Sequence, residues 1–413
     1  MRFNLLGKIK LNRKFMLAAG LLVTAVLPMG LSGCPCSCSP ALPFRPYAPT
    51  SIAIADFNTD GAADIAVGAF HRYENSSYSD NVVSVVLQNR NSPGTYLSGI
   101  DTIIGVSPKA VVAGDFDGSG GADLLVASSE SSNVVLLSQI AAPTGPLSPP
   151  LTIPAGVSRV ADAAVGDLNG DGALDIALAD SRASSVVVVL LQNLAAPGTF
   201  LAPIELEVGS QITAVAIGDV NNDGRLDLVA ASARNLDTGQ LSLFIGDANA
   251  VGQFMPRVDT PIGTYPNSIA IGDLNGDGLV DAAVTNRGAQ SVSLLLQNSL
   301  QPGSFLAPVI YASGGYSIKL AIADVNADTR ADVVVLNQGS NSLSVLLQNP
   351  QASGVLSAPT TYQGLHTPYA FAIGDLNGDT LPDIAAADGN RAHILFNLRS
   401  TPGTFASPVQ VGS

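Results

Sequence analysis

Asp167-Leu168-Asn169-Gly170-Asp171-Gly172-Ala173-Leu174-Asp175 is the stretch that decides the fold of this 413-residue chain. The same nine-residue form starts at Asp56, Asp115, Asp167, Asp219, Asp273, Asp324 and Asp375, at spacings of 51 to 59 residues. A period of this length marks a repeat architecture, in which one supersecondary unit is copied along the chain. From Ser51 to Ser413 there are 363 residues, which is about 52 for each of seven units.

Each copy presents side-chain oxygens at positions 1, 3, 5 and 9. These are Asp56, Asn58, Asp60 and Asp64 in the first copy and Asp115, Asp117, Ser119 and Asp123 in the second. The third has Asp167, Asn169, Asp171 and Asp175, and the fourth Asp219, Asn221, Asp223 and Asp227. The fifth has Asp273, Asn275, Asp277 and Asp281. The last two have Asp324, Asn326, Asp328 and Asp332, then Asp375, Asn377, Asp379 and Asp383. Carboxylates packed within nine residues repel one another unless a cation sits among them. Hard oxygen donors on a flexible loop favour Ca2+ over Zn2+, which prefers His and Cys. The expectation is up to seven structural calcium ions, against the alternative of seven Asx-type turns without metal. Position 12 is apolar in every copy (Leu178 in the third), so the loop is not an EF-hand, which needs a bidentate Glu there.

The copies differ. Gly occupies position 6 in five of them, whereas the sixth and seventh carry Thr329 and Thr380, and the second has Ser119 at position 5. A β-branched residue in the left-handed region is costly. Loops two, six and seven are therefore expected to be the weaker sites.

Around each loop the apolar pattern is constant. Ser268–Gly272 precedes loop five, Ala282–Thr285 follows it, and Ser291–Gln297 and Ala307–Tyr311 complete the unit. Four short strands per unit of about 50 residues describe a propeller blade. The fold class predicted is all-β, a seven-bladed β-propeller over residues 50–413. Only one apolar strand, Ser51–Ala55, precedes the first loop, so blade one is expected to lack a strand that the C-terminal segment Phe405–Ser413 supplies, closing the ring.

The Asp-x-Asn-x-Asp-Gly-x-x-Asp core, with turns such as Gly198-Thr199-Phe200 and Gly403-Thr404-Phe405, resembles the FG-GAP/VCBS repeats of the integrin α-subunit propeller and of bacterial surface proteins. The resemblance implies Ca2+-binding loops that join the first and second strands of each blade on one face of the ring. It implies that ligands are recognised on the opposite face.

The N-terminus reads as an address. Residues 1–14 hold five basic residues and no acid, an apolar run follows from Phe15 to Leu31, and Leu31-Ser32-Gly33-Cys34 comes next. That order is a secretory signal. Its last four residues resemble a bacterial lipobox, which implies that 1–33 is a signal peptide and that Cys34 is lipidated. Residues 34–49 then form a Pro/Ser-rich tether. The expected location is the bacterial cell envelope, anchored to the outer membrane or cell surface. The 19 basic and 33 acidic residues give −14, and removal of the leader leaves −19. A nucleic-acid partner is excluded by the lack of a basic footprint. Charged residues are only 13% and hydrophobic residues 46%, which excludes a disordered chain.

On the face opposite the loops, segment 68–81 is the longest of its class and holds His71, Arg72 and Tyr73. The inter-blade connections add Lys109, Arg159, Tyr265, Tyr316, His366 and Tyr369. Aromatic residues with polar neighbours suit a glycan or protein ligand. No Gly-x-Ser-x-Gly elbow or phosphate loop is present, and the three His are scattered. The function expected is a non-enzymatic surface module for adhesion or for recognising glycan or protein. The alternatives are a polysaccharide lyase or hydrolase and a passive scaffold subunit of an envelope complex. For the leader, Cys34→Ser should abolish metabolic labelling with palmitate and leave an unprocessed precursor on a gel; unchanged labelling would sink the lipoprotein reading.

Overall fold

The computed structural model describes residues 49–411, apart from 73–78, 98, 141–146, 183–184, 234–237 and 390. The expected leader, Cys34, the expected tether before Pro49 and Tyr73 lie outside the described residues. All the regular elements described are strands. They form seven four-stranded antiparallel sheets, each built from four consecutive strands, over 49–103, 108–154, 160–207, 211–262, 266–312, 317–363 and 368–411.

The sequence pattern of each strand follows its place in the blade. Second strands such as Asp175–Asp180 and Asp332–Asn337 are buried along their whole length, because blades cover both of their faces. They accordingly read as unbroken apolar runs (Ile-Ala-Leu-Ala) rather than as an alternation. Outer strands such as Ile204–Glu207 alternate between half-buried and exposed.

Seven apolar clusters fill the seven joints between blades. Leu125, Leu136, Ile176 and Leu178 join blades two and three, and Val334, Leu343, Phe371 and Ile384 join six and seven. The joint between seven and one is built the same way, from Ala385, Ala387 and Ile394 against Ile52, Ile65 and Val67.

Ring closure therefore differs from the sequence expectation. The C-terminal strand Val409–Val411 pairs with Arg391–Leu395 of its own blade, not with blade one. Blade one is complete without it, because Ile100–Ile103 is its fourth strand. The error was one of phase: the acidic loop follows the first strand, so a single strand before Asp56 is all that a whole blade requires. Segment 68–81, on the face opposite the acidic loops, is not one long connecting loop: most of it belongs to two paired strands, Asp64–Arg72 and Ser79–Val86.

Two sequence motifs meet at six of the joints among the described residues. The Gly-Thr-Phe turn of one blade lies against position 3 of the preceding acidic loop. An added Cβ at Gly403 would stand 2.8 Å from the Asn326 Cβ, and Gly94 and Gly303 meet Asn377 and Asn221 in the same way. These turn glycines have φ of 80° to 84°, which favours Gly. A side-chain amide at the end of strand three adds a latch to the carbonyl at loop position 2. Gln88 donates to Leu376 O at 3.2 Å across the closing joint, Gln192 to Phe116 O, and Asn397 to Val325 O at 2.7 Å. Gln297 stands at the same place with neither amide atom partnered among the described residues. Truncating either Gln to Ala removes the same packing, so the difference isolates the latch. Gln192→Ala should cost about 1 kcal/mol more than Gln297→Ala in urea titrations, the usual net value of one hydrogen bond.

Candidate functional site

Each acidic loop is knitted by its own backbone. The position 1 carboxylate accepts the N–H of position 6 at 2.7 to 3.0 Å in all seven copies. In six copies it also accepts the N–H of position 5, as Asp167 does from Asp171 at 3.0 Å. This geometry needs left-handed backbone at position 6. Gly172 has φ 91°, and Thr329 and Thr380 are held at 71° and 73°. Those two threonines carry the strain expected of a β-branched residue there. Position 4 is left-handed as well, including Thr59 at 58° and Ala327 at 59°, a constraint that the varied residues at this position concealed.

Position 9 has a role that the spacing did not reveal. Asp64, Asp123, Asp175, Asp227, Asp281, Asp332 and Asp383 have no exposed surface. One oxygen of Asp175 accepts the Leu168 N–H at 2.9 Å and the other the Gln192 N–H at 2.8 Å. The pattern repeats in every blade, with Gly246 replacing Gln in blade four. This residue ties strand one, strand two and strand three together. Burial pushes these carboxyls up to about 6 in six blades and about 7 for Asp64, although the two backbone N–H donors oppose the shift. Asp123 Oδ2 and Asp227 Oδ2 accept a second N–H, from Asp117 and Asn221; elsewhere each oxygen keeps a lone pair that can still face a cation.

At position 3, Asn169 donates its amide to Asp171 Oδ2 at 2.9 Å, and Asn58, Asn221, Asn275 and Asn326 do the same to Asp60, Asp223, Asp277 and Asp328. Loop two departs from this. Its Ser119 N–H keeps the bond to Asp117, at 2.9 Å, but makes none to position 1, and Asp115 Oδ1 is buried without a partner among the described residues. Here Asp115, Asp117 and Asp123 bring one carboxylate oxygen each within 4.8 Å of one another. The carboxylate missing at position 5 is replaced by one at position 3. The orphaned oxygen and the all-oxygen donor set fit a hard divalent cation. In loops four, six and seven a guanidinium neighbours the position 5 carboxylate: Arg225 at Asp223, Arg330 at Asp328 and Arg399 at Asp379.

The opposite rim gathers part of the expected ligand set. Tyr265, Tyr316 and Tyr369 are about 40% exposed, and His366 is exposed. His71 and Arg72 end the second strand of blade one, but their side chains lie outside the described residues. The sequence reading missed three participants. Arg287 stacks over the Tyr316 ring at 4.8 Å, and Lys319 Nζ meets Asp162 Oδ1 at 3.3 Å. A count offered a signal: after Lys14 the chain has only two lysines, Lys109 and Lys319.

The FG-GAP-like repeat family matches residues 115–178, 167–230, 219–284, 273–335 and 324–386. No curated protein matches the chain. Among solved structures, one provisionally named as a 6-phosphogluconolactonase from Bacteroides uniformis is 14% identical, with a TM-score of 0.58 over 83% of this chain and 95% of that one. A protein from Lactobacillus plantarum is also 14% identical, with a TM-score of 0.55 over 84% of this chain and 97% of its own. BBS1N, solved in complex with ARL6DN, is 10% identical, with a TM-score of 0.53 over 96% and 97% of the two chains. At these identities the likeness is one of fold alone.

The raised carboxyls give a pH signature. Without metal the native state holds protons on the position 9 residues more tightly than the unfolded chain, whose value is near 3.8. Native stability from this source is present below pH 3.8 and is lost as pH rises through about 6. In chelator, the melting temperature should fall as pH rises from about 4 to about 7. A melting curve that rises over this interval would contradict the burial argument.

Proposed function

Because the chain belongs to the FG-GAP-like repeat family, we propose that it is a calcium-stabilised, non-enzymatic binding module of the bacterial cell surface, recognising a glycan or protein. The propeller supports a binding or structural module in general. The observation that carries the finer reading is the segregation of the two faces. Every acidic loop lies at one end of the blades, while Tyr265, Arg287, Tyr316 and Tyr369 lie at the other. The loops would hold Ca2+ through positions 1, 3, 5 and 9, with Asp115, Asp117 and Asp123 in loop two. A bound ion supplies positive charge that offsets the mutual repulsion of the carboxylates.

The chain's own residues do the rest. Position 9 fixes the strand ends, the Gly-Thr-Phe turn seats the next blade on the loop, and the opposite rim is thereby held rigid. Rigid aromatic side chains beside cations suit sugar rings and polar protein surfaces. The one His–Asp pair among the described residues, His393 Nδ1 to Asp388 Oδ1 at 3.0 Å, is buried. The other Asp388 oxygen accepts the His366 N–H, so the pair reads as support for a connection rather than as a base.

Calorimetric titration of the chelated protein should show more than three Ca2+ bound. Each site should stabilise the fold by about 2.7 kcal/mol when calcium is 100-fold above its Kd. Asp171→Ala should lower the melting temperature more in calcium than in chelator, where it loses only exposed bonds to the Asn169 amide and the Ala173 N–H, whereas Asp175→Ala should lower it strongly in both, since it strips two buried backbone N–H groups of their acceptor. A glycan array read with and without chelator tests recognition. Binding lost in chelator supports the proposal, and no calcium uptake refutes it. Release of reducing or unsaturated sugar from a bound polysaccharide would replace it with the enzymatic alternative.

A further inference from the structure

The first strands of the blades surround a bore of about 250 Å3. Most of its lining residues are aliphatic, with Ile54, Val112, Ala113, Val165, Ala216 and Ile271 among them, but half of the lining surface is polar. Its mouth, at the end away from the acidic loops, is shaped by a register break in all seven blades. Each first strand shifts register one or two residues from its start: around Thr50, Lys109, Ala161, Thr213, Asn267, Ile318 and Tyr369. Bulges of this kind re-aim side chains at rims.

The side chains at these breaks are not equally committed. Thr50 donates to Pro108 O at 2.6 Å, Asn267 to Ile318 O at 2.6 Å and Thr213 to Ala231 O at 3.1 Å. Lys109 has no hydrogen bond or ion pair among the described residues, and the charges that act on it are those of Lys319, Asp162 and Arg159. Lys319 reaches from blade six to Asp162 of blade three. The second Asp162 oxygen accepts the Val215 N–H at 3.4 Å. Lys319 and Asp162 line the bore itself, while Lys109 stands at the register break of its own blade, near enough to feel their charges and that of Arg159. This cationic excess stands in a chain that has 14 basic and 33 acidic residues after its leader, and it contains both of that region's lysines. Partial desolvation, and then the neighbouring Lys319 charge, push the Lys109 amine below the usual lysine range, although the residue as a whole is exposed. An anion arriving there would relieve that unfavourable field.

We propose that the bore mouth, at Lys109 and Lys319, binds a single oxyanion carried on a compact ligand: the carboxylate of a uronate sugar or a sulfate group. The cavity lies below the roughly 300 Å3 at which pockets for drug-sized ligands begin, so the occupant is of monosaccharide size. The aliphatic residues receive its carbon skeleton and Lys109 its charge. The site rests on the reading that this face recognises ligands, and it names the chemical class of one of them.

Isothermal calorimetry of the calcium-saturated protein at low ionic strength tests the site, with glucuronate, inorganic sulfate and glucose as separate probes. One-to-one binding of an oxyanion, but not of glucose, is expected. Lys109→Gln should weaken it at least tenfold, Lys109→Arg should retain it, and Arg90→Gln on the acidic-loop face should leave it unchanged. Which anion binds identifies the source. Because Lys109 makes no bond in the fold, its variants should melt like the parent. Failure of both anions to bind, or wild-type affinity in Lys109→Gln, overturns the site. Polysaccharide binding on the array without oxyanion uptake overturns the bore site alone. Oxyanion uptake with no binding of any polymer or protein keeps the site and overturns the recognition reading.

Discussion

The carboxylate at the ninth loop position sits where three strands of a blade converge, fully buried, and accepts two backbone N–H groups from two of them. A buried carboxylate is costly unless its oxygens are hydrogen-bonded. Here the partners are backbone donors that would otherwise be unsatisfied at the strand ends, so both requirements are met by one contact. Position 9 is Asp in all seven copies, and no other residue type provides two such acceptors on so short a stem. The acidic loops are thus a structural device of the blade whether or not an ion is bound.

The same end of the blade carries the contacts between blades. The carbonyl at loop position 2 receives the Gln or Asn latch of the next blade, and position 3 receives its turn glycine. The residue whose N–H binds the position 9 carboxylate is also the residue whose side chain reaches the preceding blade. Strand geometry within a blade and the angle between blades are therefore coupled at one point. An ion bound in the loop would tighten both together, which is how metal on one face can set the shape of the other.

The strain and the irregularities fall where this coupling allows them. Thr329 and Thr380 tolerate left-handed backbone because their N–H groups bond the position 1 carboxylate at 2.7 and 2.8 Å. Loop two exchanges its carboxylate between positions 5 and 3 and keeps three carboxylate oxygens in one cluster. The position 9 carboxylate and its two N–H donors stay constant, while loop and latch residues vary: Gly246 stands where other blades carry Gln or Asn.

The repeat count, the strand number per blade, the propeller class and the acidic loops were legible in the sequence, because period and apolar patterning are local properties that each copy states again. The left-handed position 6 was legible too, through its glycines. What local pattern left open was phase and proximity. The same run of strands can be divided into blades at several points, and only packing of Ile52 and Ile65 against Ala385 shows that blade one is whole and that faces, not a shared strand, close the ring. The role of position 9 depends on a strand that returns 14 to 24 residues later. Lys319 and Asp162 are 157 residues apart and meet only because blades three and six face each other across the bore. Sequence determines what each blade is; the closed ring decides which residues from different blades share a site, because that proximity is created by the curvature of the whole.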